Sequence, residues 1–555
     1  MTKKFFIITF SLLTVACGNI PTSSSIKQGP EFGSNDQNSI IRVIASRPQP
    51  GMSQEQIVSG FLNASASSDN DFAIAREYLV PNKKISWNPT KTIEVYEGQG
   101  QFQFINENQI DFSAALHSQV NESSRIVLAN PEDQLLKTFK LKKVEDQWRI
   151  DLDFDGLVIS KTDLDRSFSF YPLWFVDPSK SFLVPETVIL PRAITANATR
   201  LMQLLLLGPS EQFKDSVITA FPMGSSLSID SVPISNGVAN VNLNEVVLKA
   251  ASQERQLLAA QIVKTLTRIS EVNSIQIKVG TQNLSILNAP INQSAPTWDK
   301  YYSDSNRNND AYFITENKLW KNTFENKSPI GKPEIDSKLW SFGTSNRAET
   351  LYALLDETKT NLNIYSYLPQ FKETVYSFTN ISNPRIDALD TVWVNTNNQP
   401  SVFSRDQKLN LIAQNFDLGN IVEIIPAPDA SRVLLIVRTV YGTELRMANV
   451  VRNPGTLVLT NIQKIMRDGF SIAKATWQDE STVLYFNSDS QPVSIYSLDI
   501  FTGLSRSIYS VNGVKDIAGT ARKSTLLEIN DGTILQRVTG EWKAIPNSKS
   551  PNYPN

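Results

Sequence analysis

Three aspartates alternate in DLDFDG, Asp151 to Gly156, and match the first six positions of an EF-hand calcium loop, where alternate carboxylates supply oxygen ligands and a glycine makes the sharp turn. That loop needs a bidentate Glu at its twelfth position, and Thr162 stands there. No clear pair of helices flanks it, so Asp151, Asp153 and Asp155 read as a solvated turn between domains. His117 is the only histidine, whereas acyl-transfer triads and most zinc sites need a well-placed His with partners. It lies in the alternating segment FSAALHSQV and reads as a strand histidine on a polar face. Glycosidase chemistry needs only two facing carboxylates, but no sialidase-type Asp box is present, since SRDQKLN from Ser404 lacks the required glycine. Asp429 in APDASR and Asp479 in WQDEST stand where β-hairpins need polar turn residues. There is no P-loop and no dinucleotide fingerprint. The expectation is no enzyme, with no catalytic residue, no cofactor and no metal.

One further residue could carry chemistry. Cys17 is the only cysteine, so no internal disulfide and no Cys-based metal site can form. Upstream stand Lys3 and Lys4, then an apolar run from Phe5 to Ala16, which is the anatomy of a secretory signal peptide. The run is shorter than the roughly 20 residues needed to span a bilayer, and no later segment is long and apolar enough. Ala16-Cys17 looks like the lipobox of bacterial lipoproteins, in which the cysteine takes an acyl chain such as palmitate and becomes the mature N-terminus. Thr14 stands three before it, where such boxes usually carry Leu, Val or Ile. The alternative is an ordinary signal peptide with an incidental Cys17. A formal net charge of -2 offers no basic footprint for nucleic acid.

The elements behind these residues fall into several domains, as 555 residues with 41% hydrophobic content allow. After the signal peptide (1–16), residues 17–38 read as a lipidated cysteine and a Gly/Ser/Asn-rich tether. Residues 39–155 are α+β: MSQEQIVSGFLNASAS gives a helix behind Ser53, DFAIAREYLVP gives a second stopped by Pro81, and alternating strands close on QWRI. Residues 156–195 read as a connector. Residues 196–280 form a second α+β unit, with a hairpin at Asn236-Gly237 and a long helix in ASQERQLLAAQIVKTLTRIS. Residues 281–308, full of Asn, Ser and Pro, read as a linker. From 309 to 555, strand starts recur at Tyr312, Leu351, Val392, Val433, Val483 and Leu526, each followed by a polar turn and a second strand. A repeat of about 40 residues with several strands per unit signals a β-propeller, here of six or seven blades. Trp320, Trp340, Trp393, Trp477 and Trp542 fall roughly one per blade. Packing between blades accounts for most of them, leaving one or two as contact anchors.

Taken in order, CGNIPTSSS, RPQPGMSQEQIVSGFLNASAS with DFAIAREYL, QWRI before DGLVIS, LVPETVILP, RLMQLLLLGPS, AFPMGS, QLLAAQIVKTLT and the tail SPNYPN resemble the actinobacterial lipoprotein family LpqB. The usual Gly after the final Tyr-Pro is Asn555 here. The first α+β unit is similar to NTF2-like domains, and the second resembles the GerMN module of spore-germination proteins. The resemblance implies a lipid-anchored protein on the extracytoplasmic face of the cell membrane. Its implied partner is the outer sensor region of a histidine kinase in a two-component system linked to cell envelope and division. The resemblance supplies no catalytic residues. The alternative function is a cell-wall glycan-binding or glycan-processing envelope protein acting through the propeller.

Overall fold

The computed structural model describes residues 45–555 except 68–70, 131, 193–195, 303–309, 324–325, 398, 467–470, 488–490, 521–523, 539 and 555. The expected signal peptide, Cys17 and the tether lie outside the described residues.

The N-terminal unit starts with α1 (Gln54–Ala64), α2 (Ala73–Glu77) and α3 (Pro81–Ser86). Ser53 caps α1 as its sequence position predicts: its hydroxyl accepts from the Gln56 N–H, and the Gln56 side chain accepts from the Ser53 N–H at 2.8 Å. Pro81 does more than stop α2. It opens α3, where a missing N–H costs nothing. Strands β1 (Ile93–Asn106), β2 (Gln109–Val120), β3 (Ile126–Leu128), β4 (Gln134–Val144), β5 (Gln147–Asp151) and β6 (Leu157–Ser160) follow. They form one sheet in the order β5-β4-β2-β1-β6, with β3 beside β2; only the β1–β6 pair is parallel. Its inward residues, among them Val95, Phe112, Phe139 and Ile150, pack on Ile57, Phe61 and Leu62 of α1.

The stretch expected as a connector is structured over residues 157–191. After β6 come α4 (Lys161–Ser167), β7 (Phe168–Val176) and β8 (Leu183–Pro191), and the last two pair as an antiparallel hairpin. Nearly every residue of that hairpin beyond Pro172 is apolar or buried, which signals a core element rather than a tether. The middle unit continues with α5 (Asn197–Leu207), β9 (Ile234–Ser235), β10 (Val238–Leu243), α6 (Ser252–Leu266), β11 (Ser274–Val279), β12 (Gln282–Asn283) and β13 (Asn292–Gln293). Asn236 and Gly237 both take positive φ, 51° and 76°, and give the two-residue turn between β9 and β10 that their types favour. Strands β10 and β11 are parallel and joined by α6. Helix α6 is buried along nearly its whole length: Gln261 donates to the Trp174 carbonyl at 2.8 Å, and the Thr265 hydroxyl accepts from the Trp174 N–H at 3.2 Å.

The expected linker 281–308 is also corrected over its described part. Leu284, Ile286, Trp298, Tyr301 and Tyr302 are buried in the same core as α6, and the Trp298 indole donates to Gln293 at 3.0 Å. Its polar composition hid five anchoring side chains at wide spacing.

The remaining chain forms six four-stranded antiparallel sheets. Sheet I combines Ser548–Asn552 with Ala311–Thr315, Lys318–Thr323 and Asn326–Pro329. Sheet II runs Trp340–Ser345, Leu351–Asp356, Asn361–Ser366 and Lys372–Ser377, and sheet III runs Arg385–Ile386, Val392–Thr396, Gln399–Phe403 and Lys408–Ala413. Sheet IV is Ile421–Pro426, Arg432–Thr439, Gly442–Asn453 and Thr456–Lys464. Sheet V is Ile472–Trp477, Thr482–Asn487, Val493–Asp499 and Leu504–Val511; sheet VI is Val514–Gly519, Thr525–Ile529, Ile534–Val538 and Glu541–Ile545. All six strand starts read from the sequence fall in the second strand of a sheet. The outer strands of III and IV also pair, in parallel, from Asn410↔Thr456 to Ala413↔Leu459. Among the described residues there is no seventh sheet of this kind.

Candidate functional site

The residues singled out for chemistry are kept apart. Asp151 pairs with Lys142 and Asp153 with Lys140, each at 2.6 Å, while Asp155 lies 3.5 Å from Lys91 and accepts from the Asn88 N–H. The three carboxylates thus face separate lysines, and the described residues hold no group of three or more His, Cys, Asp or Glu able to bind a metal. His117 is buried, not on a polar face, with Nδ1 3.0 Å from the Ser118 hydroxyl. The cause is a β-bulge: Val95 pairs with Ser118 and Tyr96 with Leu116, so His117 has no opposite residue and strand alternation fails there. Asp429 and Asp479 do sit in turns, accepting from the Ser431 and Ser481 N–H groups at 3.0 and 2.8 Å. Trp340, Trp393 and Trp477 are buried, and Trp320 and Trp542 are half-buried, so none of the five stands out as a contact anchor. Among the described residues Tyr441 is an almost fully exposed aromatic, and with Val440 it forms the tip of a sheet IV hairpin.

The first strands of the six sheets converge on a crevice of about 10 Å³ bordered by Thr344, Arg385, Ile425, Thr476, Gly519 and, just beyond its strand, Tyr553. That volume suits about one water. Arg385 of that border also belongs to a set of charges from four consecutive sheets, Arg385, Glu423, Lys474 and Asp516, of alternating sign. Glu423 lies 2.9 Å from Lys474 and 3.6 Å from Arg385. Burial pushes the Glu423 carboxyl up, yet the Lys474 and Arg385 charges outweigh it and hold its pKa below the ordinary value. The Glu423 charge in turn raises Lys474 against its own burial. Asp516 goes the other way: burial raises it, and Lys474 and Arg385 only partly offset that.

A second set of buried charges joins the units. Lys264 of α6 pairs with Glu480 of sheet V at 2.9 Å, both nearly inaccessible. Its ammonium lies 3.7 Å from the Trp174 ring centroid and 4.0 Å from that of Tyr302. Arg432 donates to the Glu480 carbonyl at 2.8 Å and to Asp429 at 2.9 Å through Nε. Arg347 donates to the Pro428 carbonyl at 2.9 Å and stacks over Phe182 of the middle unit. Asn449 of sheet IV donates to the Gln212 carbonyl at 2.8 Å. Toward the N-terminal unit, Arg125 donates to Glu186 of β8 at 3.1 Å, again buried. Sequence patterning could not find the pairs between units, because the partners are as far as 237 residues apart.

A cavity lies between the N-terminal unit and the β8–α5 segment. It holds about 400 Å³. Phe72, Ile93, Val120, Leu157, Phe168 and Ile189 give it apolar walls, and Asn197, Thr199, Arg200 and Gln203 of α5 give it one polar end.

With this geometry in place, the chain falls in the class of multidomain proteins with a germination-type middle module: residues 172–285 match the family "Sporulation and spore germination". Residues 47–165 match "Lipoprotein LpqB, N-terminal domain". Over the N-terminal unit and the middle module the chain is similar to the LpqB lipoproteins. A relative named Lipoprotein LpqB from Thermobifida fusca is 27% identical over 332 residues, covering 56% of this chain and 52% of its own. One from Cutibacterium acnes is 25% identical, covering 53% and 49%. The matches to these two span about half of each relative's length. The Corynebacterium diphtheriae relative is 22% identical over 550 residues, covering 93% of this chain and 91% of its own. Among solved structures, the tandem GerMN domains of GerM from Bacillus subtilis align at 19% identity over 27% of this chain and 50% of theirs, TM-score 0.20. TolB from Acinetobacter baumannii aligns at 11% identity over 58% and 88%, TM-score 0.34. No helix among the described residues is long and apolar enough to cross a membrane.

Proposed function

We propose that this protein is a lipid-anchored accessory protein on the extracytoplasmic face. It binds the outer sensor region of a histidine kinase and biases two-component signalling linked to envelope and division. Cys17 carries the anchor, the N-terminal unit is read as NTF2-like, and the six sheets are read as the blades of a propeller. The kinase partner follows from the family resemblance. The observation that favours a binding role over chemistry is the use of the deep charges. Lys264, Glu480, Arg125, Glu186, Glu423 and Lys474 pair with one another across units or sheets, which suits a body that presents fixed surfaces. An acyl anchor at Cys17 confines that body to the membrane that holds the kinase, so modest affinity suffices. The effect on the kinase comes from unequal affinity for its two states.

The test deletes the protein and measures phosphorylation of the cognate response regulator, with a kinase-ectodomain pull-down run beside a glycan array. A changed phosphorylation level and kinase capture are expected. Unchanged phosphorylation, or glycan binding without kinase capture, overturns the reading.

A further inference from the structure

We propose that the cavity between the N-terminal unit and α5 is a binding site for a small amphiphile with an apolar body and an anionic headgroup. The size fits: about 400 Å³ lies within the roughly 300–1,000 Å³ of small-molecule sites. The walls fit an apolar body, since Ile93, Val120, Leu157, Phe168 and Ile189 are all buried core residues that still border open space.

The headgroup follows from which polar groups remain uncommitted. Asn197 donates to the Pro191 carbonyl at 2.9 Å, the Thr199 hydroxyl accepts from the Val232 N–H at 2.9 Å, and Gln203 donates to Asp230 at 2.6 Å. Asn121 accepts from the Ser123 and Arg125 N–H groups at 3.0 and 2.9 Å, so its carbonyl end is occupied too. Arg200 is the charged group among the lining residues. It borders the cavity, is exposed at its polar end, and among the described residues has no carboxylate within ion-pair distance. A guanidinium offers planar paired donors suited to carboxylate or phosphate, and beside a low-dielectric cavity its attraction for an anion is stronger than in water. The apolar walls and the Arg200 guanidinium therefore select a fatty carboxylate or an alkyl phosphate over a neutral or cationic amphiphile.

The test uses the full chain in nanodiscs of zwitterionic phospholipid. It is irradiated with diazirine-bearing dodecanoate, dodecyl phosphate or dodecyltrimethylammonium, and modified peptides are mapped by mass spectrometry. Adducts from one or both anionic probes are expected on the peptides holding Ile93, Val120 and Ile189. They should saturate, be competed by the unlabelled anion, and exceed those of the cationic probe by at least about tenfold; the stronger anion identifies the headgroup. Ile189→Trp, which fills the cavity, should abolish them. Arg200→Glu, at an exposed position where folding is not at stake, should cut them at least about tenfold while leaving overall thermal unfolding unchanged. Absence of cavity adducts, equal labelling by the cationic probe, or labelling unaffected by Arg200→Glu overturns the proposal.

Discussion

Lys264 has its charge buried against Glu480 and two aromatic rings at once. Removing one partner of such a pair leaves a buried uncompensated charge, costing about 3–5 kcal/mol, whereas replacing both with apolar groups can recover much of that loss. Lys264→Met and Glu480→Leu should each lower the first unfolding transition in calorimetry, and the double variant should be more stable than either. Two equal, additive losses would show that the pair is not coupled. The central charges make a pH prediction with opposite signs. Glu423, held below its ordinary 4.5, contributes stability that is present above that value and lost as pH falls through its folded pKa. Glu423→Gln should therefore lower Tm near neutral pH, with the deficit shrinking in acid. Asp516, held above its ordinary 3.8, contributes stability that is full below that value and lost as pH rises through its folded pKa. Asp516→Asn should therefore raise Tm near neutral pH and match the parent chain in acid; calorimetry across pH reads both slopes.

At the level of elements, the packed segment ending in Trp298, Tyr301 and Tyr302 changes where a protease should cut. Residues 284–302 should resist limited proteolysis as long as the middle core is folded, and Trp298→Ala, which removes a buried side chain worth about 3–5 kcal/mol, should make them cleavable. Early cleavage there in the parent chain would contradict the packing. The same elements show what periodicity can and cannot reveal. Ser53 as a cap, Asn236-Gly237 as a turn and the six second strands were legible because each rests on a local rule: a side chain reaching its own backbone, a positive φ, or a strand between polar turns. The β7–β8 hairpin was missed because a strand buried on both faces shows no alternation. His117 was misplaced because a bulge shifts alternation by one residue without leaving a mark in composition. The cavity and the charges at the junction were illegible for a further reason, since each is assembled from side chains remote in sequence.

For the whole molecule, attachment and assembly are the two questions. If Cys17 takes the acyl chain, Cys17→Ala should abolish labelling by a fatty-acid analogue and release the protein from stable membrane association, since anchoring depends on the lipid signals present. Equal label in both forms would refute the anchor. Sheet I bears on assembly, because Ala311–Thr315 is completed only by Ser548–Asn552, with Thr315 and Ser548 bonded through their hydroxyls across 233 residues. During synthesis the strand made first in this region therefore waits for nearly the last one, and its unpaired edge stays open to other chains meanwhile. A chain cut off just before Ser548 therefore carries all the strands of the other five sheets yet leaves the Ala311–Thr315 edge bare, so the loss of a few terminal residues should expose a pairing surface deep in the sequence.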